Sequence, residues 1–179
     1  MADNPFYTAL PIWQQVDEQA RLLADSLQAG NHVLTCAESC TGGLVAAALT
    51  SIPGSSAWFD RGFVTYDNQA KVDMLGVDPQ VLEEAGAVSE IVARQMAVGA
   101  LQAAPGADMA VSTTGVAGPG GGTPDKPVGM VCFGTAWRDQ GQIHARALTQ
   151  QLPGDRAEVR AASVEIALRQ LRDVLKSLA

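Results

Sequence analysis

The sequence predicts one α/β domain, a three-layer α/β/α sandwich around a mixed sheet. Three observations carry this. Short apolar runs alternate with stretches of helical periodicity along the chain, without an internal repeat. The 179 residues suffice for one substantial core and point to a single domain. Two strand-like segments flank Arg138-Asp139-Gln140-Gly141, and that tight connection makes part of the sheet antiparallel.

Met1–Pro11 reads as a loose arm and residues 12–179 as the domain. Ile12–Ala29 is helical: Ile12, Val16, Ala20, Leu22, Leu23 and Leu27 recur at roughly helical spacing, and Gly30-Asn31 stops the helix. Val33–Cys36 is a short strand and about Thr41–Thr50 a helix. Pro53-Gly54-Ser55-Ser56 is a loop. Ala57–Tyr66 reads as a strand through Trp58, Phe59, Phe63, Val64 and Tyr66. Asp67-Asn68 caps a short helix, Gln69–Leu75. Asp78 and Pro79 take the N-cap and first position of another, which ends at Gly86. Ser89 caps a longer helix through about Ala103, and Pro105-Gly106 breaks the chain. Ala107–Thr114 is a buried strand, and Gly115–Pro127 a glycine- and proline-rich loop. Val128–Trp137 and Gln142–Gln150 form the hairpin. An amphipathic helix, about Ala157–Ser177, closes the chain.

Composition narrows the function. Hydrophobic residues at 47% and charged residues at 17% fit a globular chain rather than a disordered one. A formal charge of −7 argues against direct nucleic-acid contact, which needs a basic face, and leaves room for a local phosphate pocket. Cys36, Cys40 and Cys132 are an odd set in no framework spacing, as expected of free thiols in a reducing cytoplasm. With His32 and His144 the only histidines, no zinc site is expected. Met1–Pro11 has neither a basic nor an apolar leader region, and no apolar run reaches membrane-spanning length. A cytoplasmic protein without membrane contact is the expectation.

Four patches carry candidate chemistry. In Glu38-Ser39-Cys40-Thr41-Gly42-Gly43, a helix start would leave the Thr41, Gly42 and Gly43 amides free for an anion or a developing oxyanion. Ser39, Cys40 and Thr41 stand beside it as nucleophiles or hydrogen-bonding groups. An ordinary cap, Ser39 or Thr41 on Gly43 or Leu44, explains the same residues. In Thr65–Lys71, a partly desolvated Lys71 suits a base for a serine, and a solvated helix-end lysine is the plainer alternative. Thr113–Pro119 leads into Gly118-Pro119-Gly120-Gly121-Gly122, a surface loop or a substrate lid; without a G-K-[ST] continuation it is no P-loop. Arg156 and Arg160 lie one helical turn apart, able to share a phosphate or to pair with Asp155 or Glu158.

Together the motifs A-E-S-C-T-G-G, P-G-S-S-A-W-F-D-R-G-F-V-T-Y-D-N-Q-A-K, G-A-V-S-E, T-G-V-A-G-P-G-G-G and K-P-V-G resemble the CinA C-terminal domain family. Within it they are most similar to the stand-alone PncC-type nicotinamide-nucleotide amidohydrolases. The resemblance covers about Ala20–Leu175. It implies hydrolysis of the carboxamide of nicotinamide mononucleotide to nicotinate mononucleotide and ammonia, in pyridine nucleotide recycling. It also implies a serine amidohydrolase with Ser39 as nucleophile, paired with Lys71 and assisted by Tyr66, and no metal or organic cofactor. Cys40, Thr41, Gly42, Gly43, Thr114, Gly115, Gly118 and Arg156 are the expected substrate contacts. Thr113-Thr114-Gly115 departs from the I-S-G or V-S-G of many relatives, with the hydroxyl kept at Thr114. A homodimer is expected from the resemblance and the alanine-rich helix faces. Two rival readings remain: Cys40 as nucleophile, which lacks a histidine base, and a non-catalytic pyridine-nucleotide-binding or competence/damage-related partner module.

Overall fold

The structure is a computed structural model that describes residues 11–178; the expected arm, apart from Pro11, lies outside the described residues. The elements are α1 (Pro11–Gly30), β1 (Leu34–Glu38), α2 (Leu44–Thr50), a 3-10 turn (Ser55–Ala57), β2 (Phe59–Val64), α3 (Asn68–Leu75), α4 (Pro79–Ala85), α5 (Glu90–Ala103), β3 (Met109–Gly115), β4 (Met130–Asp139), β5 (Gln142–Gln151) and α6 (Arg156–Leu178). The sheet order is β2-β1-β3-β4-β5. β2, β1 and β3 are parallel, whereas β3–β4 and β4–β5 are antiparallel. The mixed sheet and single α/β domain expected from the pattern are therefore present.

Strand alternation divides the core in two. Leu34 and Cys36 of β1, Met109 and Val111 of β3, and Val131 and Phe133 of β4 pack with α1, α2 and α6. Ala37, Ala110 and Ala136 face α3, α4 and α5 through Leu75, Leu82, Val92 and Met96. On that second face the strands use small residues because α5 lies close. Ser112 Oγ donates to the Ala93 carbonyl at 2.6 Å, and a Cβ on Gly134 would meet the same oxygen. Gly99 of α5 likewise makes room for the Leu75 carbonyl at the end of α3. That contact seats α3, the helix that carries Lys71.

Several boundaries differ from the sequence reading: β1 runs on to Glu38 instead of ending at Cys36, and α2 starts at Leu44 instead of about Thr41. The segment Ala57–Tyr66 divides into a 3-10 turn and β2, and the β1–β2 register shifts between Leu34 and Cys36. The hairpin connection is shorter than Arg138–Gly141: Asp139 pairs with Gln142, leaving Gln140 and Gly141 at φ 48° and 77°. A two-residue loop of this hand matches the twist of its strands, so pairing continues to its rim.

Because β1, β2 and β3 run parallel, their C-terminal ends open on one edge. Ser39, Thr65-Tyr66 and Thr113–Gly115 meet there, and β5 delivers the start of α6 to the same edge.

Candidate active site

Ser39 sits one residue beyond β1, its amide donating to the Thr113 carbonyl at 2.9 Å. Alternation turns Glu38 towards α2 and Ser39 towards α3. Buried Glu38 accepts the amides of Gly43 (2.9 Å), Val45 (3.0 Å) and Ala46 (2.9 Å). The helix N-terminus read as open is thus filled by the chain's own carboxylate. Gly42 is also engaged, donating to the Ser39 carbonyl at 3.1 Å. Neither Ser39 nor Thr41 caps α2. The Thr41 hydroxyl instead bonds the Thr113 hydroxyl at 2.7 Å. The cause is the left-handed backbone of Gly42 and Gly43, φ 58° and 96°, which folds the turn back over Glu38. Of the turn's amides, those of Cys40 and Thr41 have no protein oxygen as acceptor among the described residues. The Cys40 amide lies against its own sulfur.

Lys71 enters from the first turn of α3, which Asp67 caps by accepting the Gln69 amide at 2.8 Å. Its side chain runs inward and is 1% exposed. Nζ lies 3.2 Å from Ser39 Oγ and donates to the carbonyls of Thr65 (2.9 Å), Tyr66 (3.2 Å) and Asp67 (3.4 Å). Burial pulls its pKa below the ordinary 10.5, against the opposing pull of Asp67 and Cys40. A neutral amine in this cage has its two N–H groups for the nearer carbonyls of Thr65 and Tyr66, gives up the 3.4 Å contact with Asp67, and turns its lone pair to the serine hydroxyl.

The thiols are in the opposite condition. Burial, the largest cause, pushes Cys40 up to about 12. Cys36 is also raised well above its ordinary value, by burial and by Glu38, whose Oε1 lies 3.8 Å from its sulfur. Both imidazoles are occupied away from Cys40: His32 lies 3.9 Å from Asp108, and His144 stacks on Trp137. Of the residues in this turn, Ser39 is the one with a base in contact.

Beside the turn opens a cleft of about 630 Å³, lined by Ala117, Gly118, Pro119, Val128, Arg156 and Arg160 among others. Arg156 donates to the Gly118 carbonyl at 2.8 Å and to the Tyr66 hydroxyl at 3.1 Å. Alternation buries Thr65 and turns Tyr66 outward, 59% exposed. The phenol therefore reaches Arg156, and what Tyr66 gives Lys71 is its backbone carbonyl. Arg160 donates to the carbonyls of Cys40 (3.2 Å) and Thr41 (2.9 Å), so the two arginines read as one phosphate pair have separate partners. Thr114 also differs from expectation: its hydroxyl donates to the Ala87 carbonyl at 2.9 Å, on the α5 side of the sheet. A Cβ at Gly115 would collide with Met130 and Val131, so this glycine serves strand packing. The glycine-rich loop is tied down, with Lys126 Nζ bonding the Ala85 carbonyl. Sequence reasoning missed Glu38 and the Arg160 contacts. Its one available signal was an acidic residue inside an otherwise buried strand end. Among the described residues, no cluster of His, Cys, Asp or Glu is arranged for a metal, and no helix is long and apolar enough to cross a membrane.

The sequence profile of the CinA C-terminal domain matches residues 16–175. The chain belongs to the CinA C-terminal domain family. This CinA domain is similar to a nicotinamide-nucleotide amidohydrolase PncC of Enterobacter agglomerans, 54% identical over 153 residues, 85% of this chain and 91% of that protein. A CinA-like protein of Chlorobaculum tepidum is 54% identical over 143 residues, 79% of this chain and 34% of its own length. The CinA domain thus spans about a third of that longer relative. Among solved structures, the competence/damage inducible protein CihA of Agrobacterium tumefaciens superposes with a TM-score of 0.82 at 46% identity, covering 90% of this chain and 96% of that one. A CinA superfamily protein of Escherichia coli gives 0.81 at 37% identity, with 96% of each chain covered.

Proposed function

We propose that this CinA domain hydrolyses the carboxamide of nicotinamide mononucleotide to nicotinate mononucleotide and ammonia, with Ser39 as nucleophile and Lys71 as its base. The observation that carries the reading is the 3.2 Å contact between a buried lysine and the serine at the head of the turn. The name and high identity of the Enterobacter relative support the substrate.

The chemistry follows from the positions. Neutral Lys71 takes the Ser39 proton as Oγ attacks the carboxamide carbon. The oxyanion faces the Cys40 and Thr41 amides; one such donor is typically worth about 3–4 kcal/mol of barrier. The Lys71 ammonium returns the proton to the departing nitrogen, and ammonia leaves. Water, deprotonated by Lys71, then cleaves the acyl-serine ester. Arg156, which lines the cleft and bonds the Gly118 carbonyl and the Tyr66 hydroxyl, is the proposed phosphate contact. This route needs no metal or organic cofactor, because Ser39 itself supplies the nucleophile. Free, buried Cys36, Cys40 and Cys132 support a cytoplasmic setting. The helix alanines Ala20, Ala24, Ala93, Ala97, Ala100, Ala161 and Ala167 are buried within the single chain, so a homodimer rests on the family resemblance alone and is to be checked by analytical ultracentrifugation.

The test is ammonia release from nicotinamide mononucleotide, with chelator present, by wild type, Ser39→Ala and Lys71→Ala. Release by wild type alone is expected. A folded wild type that binds the nucleotide and releases nothing would overturn hydrolysis in favour of a binding module.

A further inference from the structure

We infer that Glu38 is a positioning residue: by accepting the amides of Gly43, Val45 and Ala46 it sets the Ser39–Thr41 turn so that the Cys40 and Thr41 amides face the reacting carbonyl. This rests on the reading of Ser39 given above. Glu38 is suited to it by its place in the sheet. Its backbone pairs with Val64 on one side and Thr113 on the other, so it belongs to the most constrained part of the edge. Its side chain ties that strand to α2, a seven-residue helix with no side-chain cap at Gly43. The neighbouring residue on the other face of β1 is the nucleophile.

The turn is held from its other side by Arg160, on the carbonyls of Cys40 and Thr41. Peptide planarity converts these bonds into a direction for the Cys40 and Thr41 amides. In a trans peptide the C=O and the next N–H point opposite ways. Arg160 on the Cys40 carbonyl therefore aims the Thr41 amide away from the arginine. The Gly42 amide on the Ser39 carbonyl does the same for the Cys40 amide. Glu38 fixes the far end of the turn by holding Gly43. With both ends and the middle fixed, the two amides that meet no protein oxygen among the described residues keep their direction before substrate arrives.

The carboxylate is required because it offers acceptor sites only, enough for all three amides. Glu38→Gln is nearly isosteric but turns an NH2 group against amide donors. Glu38→Asp keeps the charge and pulls it back by one methylene. We would compare wild type, Glu38→Gln and Glu38→Asp by steady-state hydrolysis of nicotinamide mononucleotide, by its pH profile and by thermal melting. A second readout needs no knowledge of the substrate: the rate of Ser39 phosphonylation by a fluorophosphonate. There the Ser39 Oγ–P bond forms, the P–F bond breaks, fluoride leaves and the serine proton goes to Lys71.

For Glu38→Gln we expect kcat to fall at least about thirty-fold, with KM within about three-fold and phosphonylation slowed in parallel. The pH limb should stay in place while its plateau drops, because Glu38 does not touch Lys71. Glu38→Asp should fall between, and it carries the test if Glu38→Gln does not fold. A lowered melting temperature with unchanged kcat and phosphonylation would reduce Glu38 to a helix cap and overturn the inference. So would a rise in KM alone. A wild type that is phosphonylated at Ser39 but inert towards the nucleotide sinks the substrate reading and leaves the Glu38 comparison intact.

Discussion

Glu38 and Lys71, an acid and a base, are both 1% exposed and flank the same serine from opposite faces of the sheet. Their surroundings differ in kind. Among the described residues, every side-chain partner of Glu38 except the Cys36 thiol is a backbone amide of α2 or its approach. Lys71 has backbone carbonyls and one further partner, the hydroxyl of Ser39. The carboxylate is locked by groups that cannot react, whereas the amine keeps one contact through which a proton can move. Burial alone does not mark a catalytic charge; a reactive partner does.

The widest separation between the two sides should come from the pair itself. Ser39→Ala and Lys71→Ala should each lower kcat by about ten-thousand-fold, measured by ammonia release. In wild type, kcat/KM should rise with pH through the lowered pKa of Lys71, as the neutral base forms below the ordinary 10.5. Linkage gives the same residue a stability signature. Folded Lys71 releases its proton at lower pH than the unfolded chain, so in that window the unfolded state binds more protons and stability rises with pH. The gap in unfolding free energy between wild type and Lys71→Met should shift towards wild type across that window, as read by denaturant titration. A gap that does not change with pH contradicts the depressed lysine.

Arg156→Ala tests the cleft as the phosphate site. Loss of a charged contact of about 1.5–3 kcal/mol should raise KM by about ten- to hundred-fold, with kcat little changed. Tyr66→Phe should have a smaller effect, under about ten-fold, because the phenol meets exposed Arg156 and the Lys71 contact is a backbone carbonyl that the substitution retains. A loss of about a hundred-fold would restore the tyrosine to proton relay, as the family resemblance implies. Smallest of all, Cys40→Ala should stay within a few-fold in kcat, since its thiol is pushed up to about 12 and is protonated at neutral pH.

Much of this was legible beforehand. The alternation of periodicities yields the layers, whereas the pairing of Lys71 with Ser39 was expected from the family resemblance and not from the spacing of the residues. Some features were not legible because they depend on contacts distant in sequence or on local backbone hand. Glu38 caps α2 from the preceding strand, which no i to i+3 capping signature reports. Arg156 and Arg160 share a helix face, yet a turn more than a hundred residues away claims only Arg160. Thr114 keeps a hydroxyl, but strand parity sends it to Ala87 rather than to the cleft. Tyr66 follows the same parity, and its neighbour Thr65 takes the inward position.

The central claim is that a covalent acyl-serine forms at Ser39 through Lys71. Its most direct test is rapid acid quench of the enzyme during turnover of nicotinamide mononucleotide, followed by intact and peptide mass analysis. The account predicts an adduct equal to the substrate less ammonia on the peptide carrying Ser39, absent in Ser39→Ala and in Lys71→Ala. The same adduct on Cys40, or full turnover by Ser39→Ala, would contradict it.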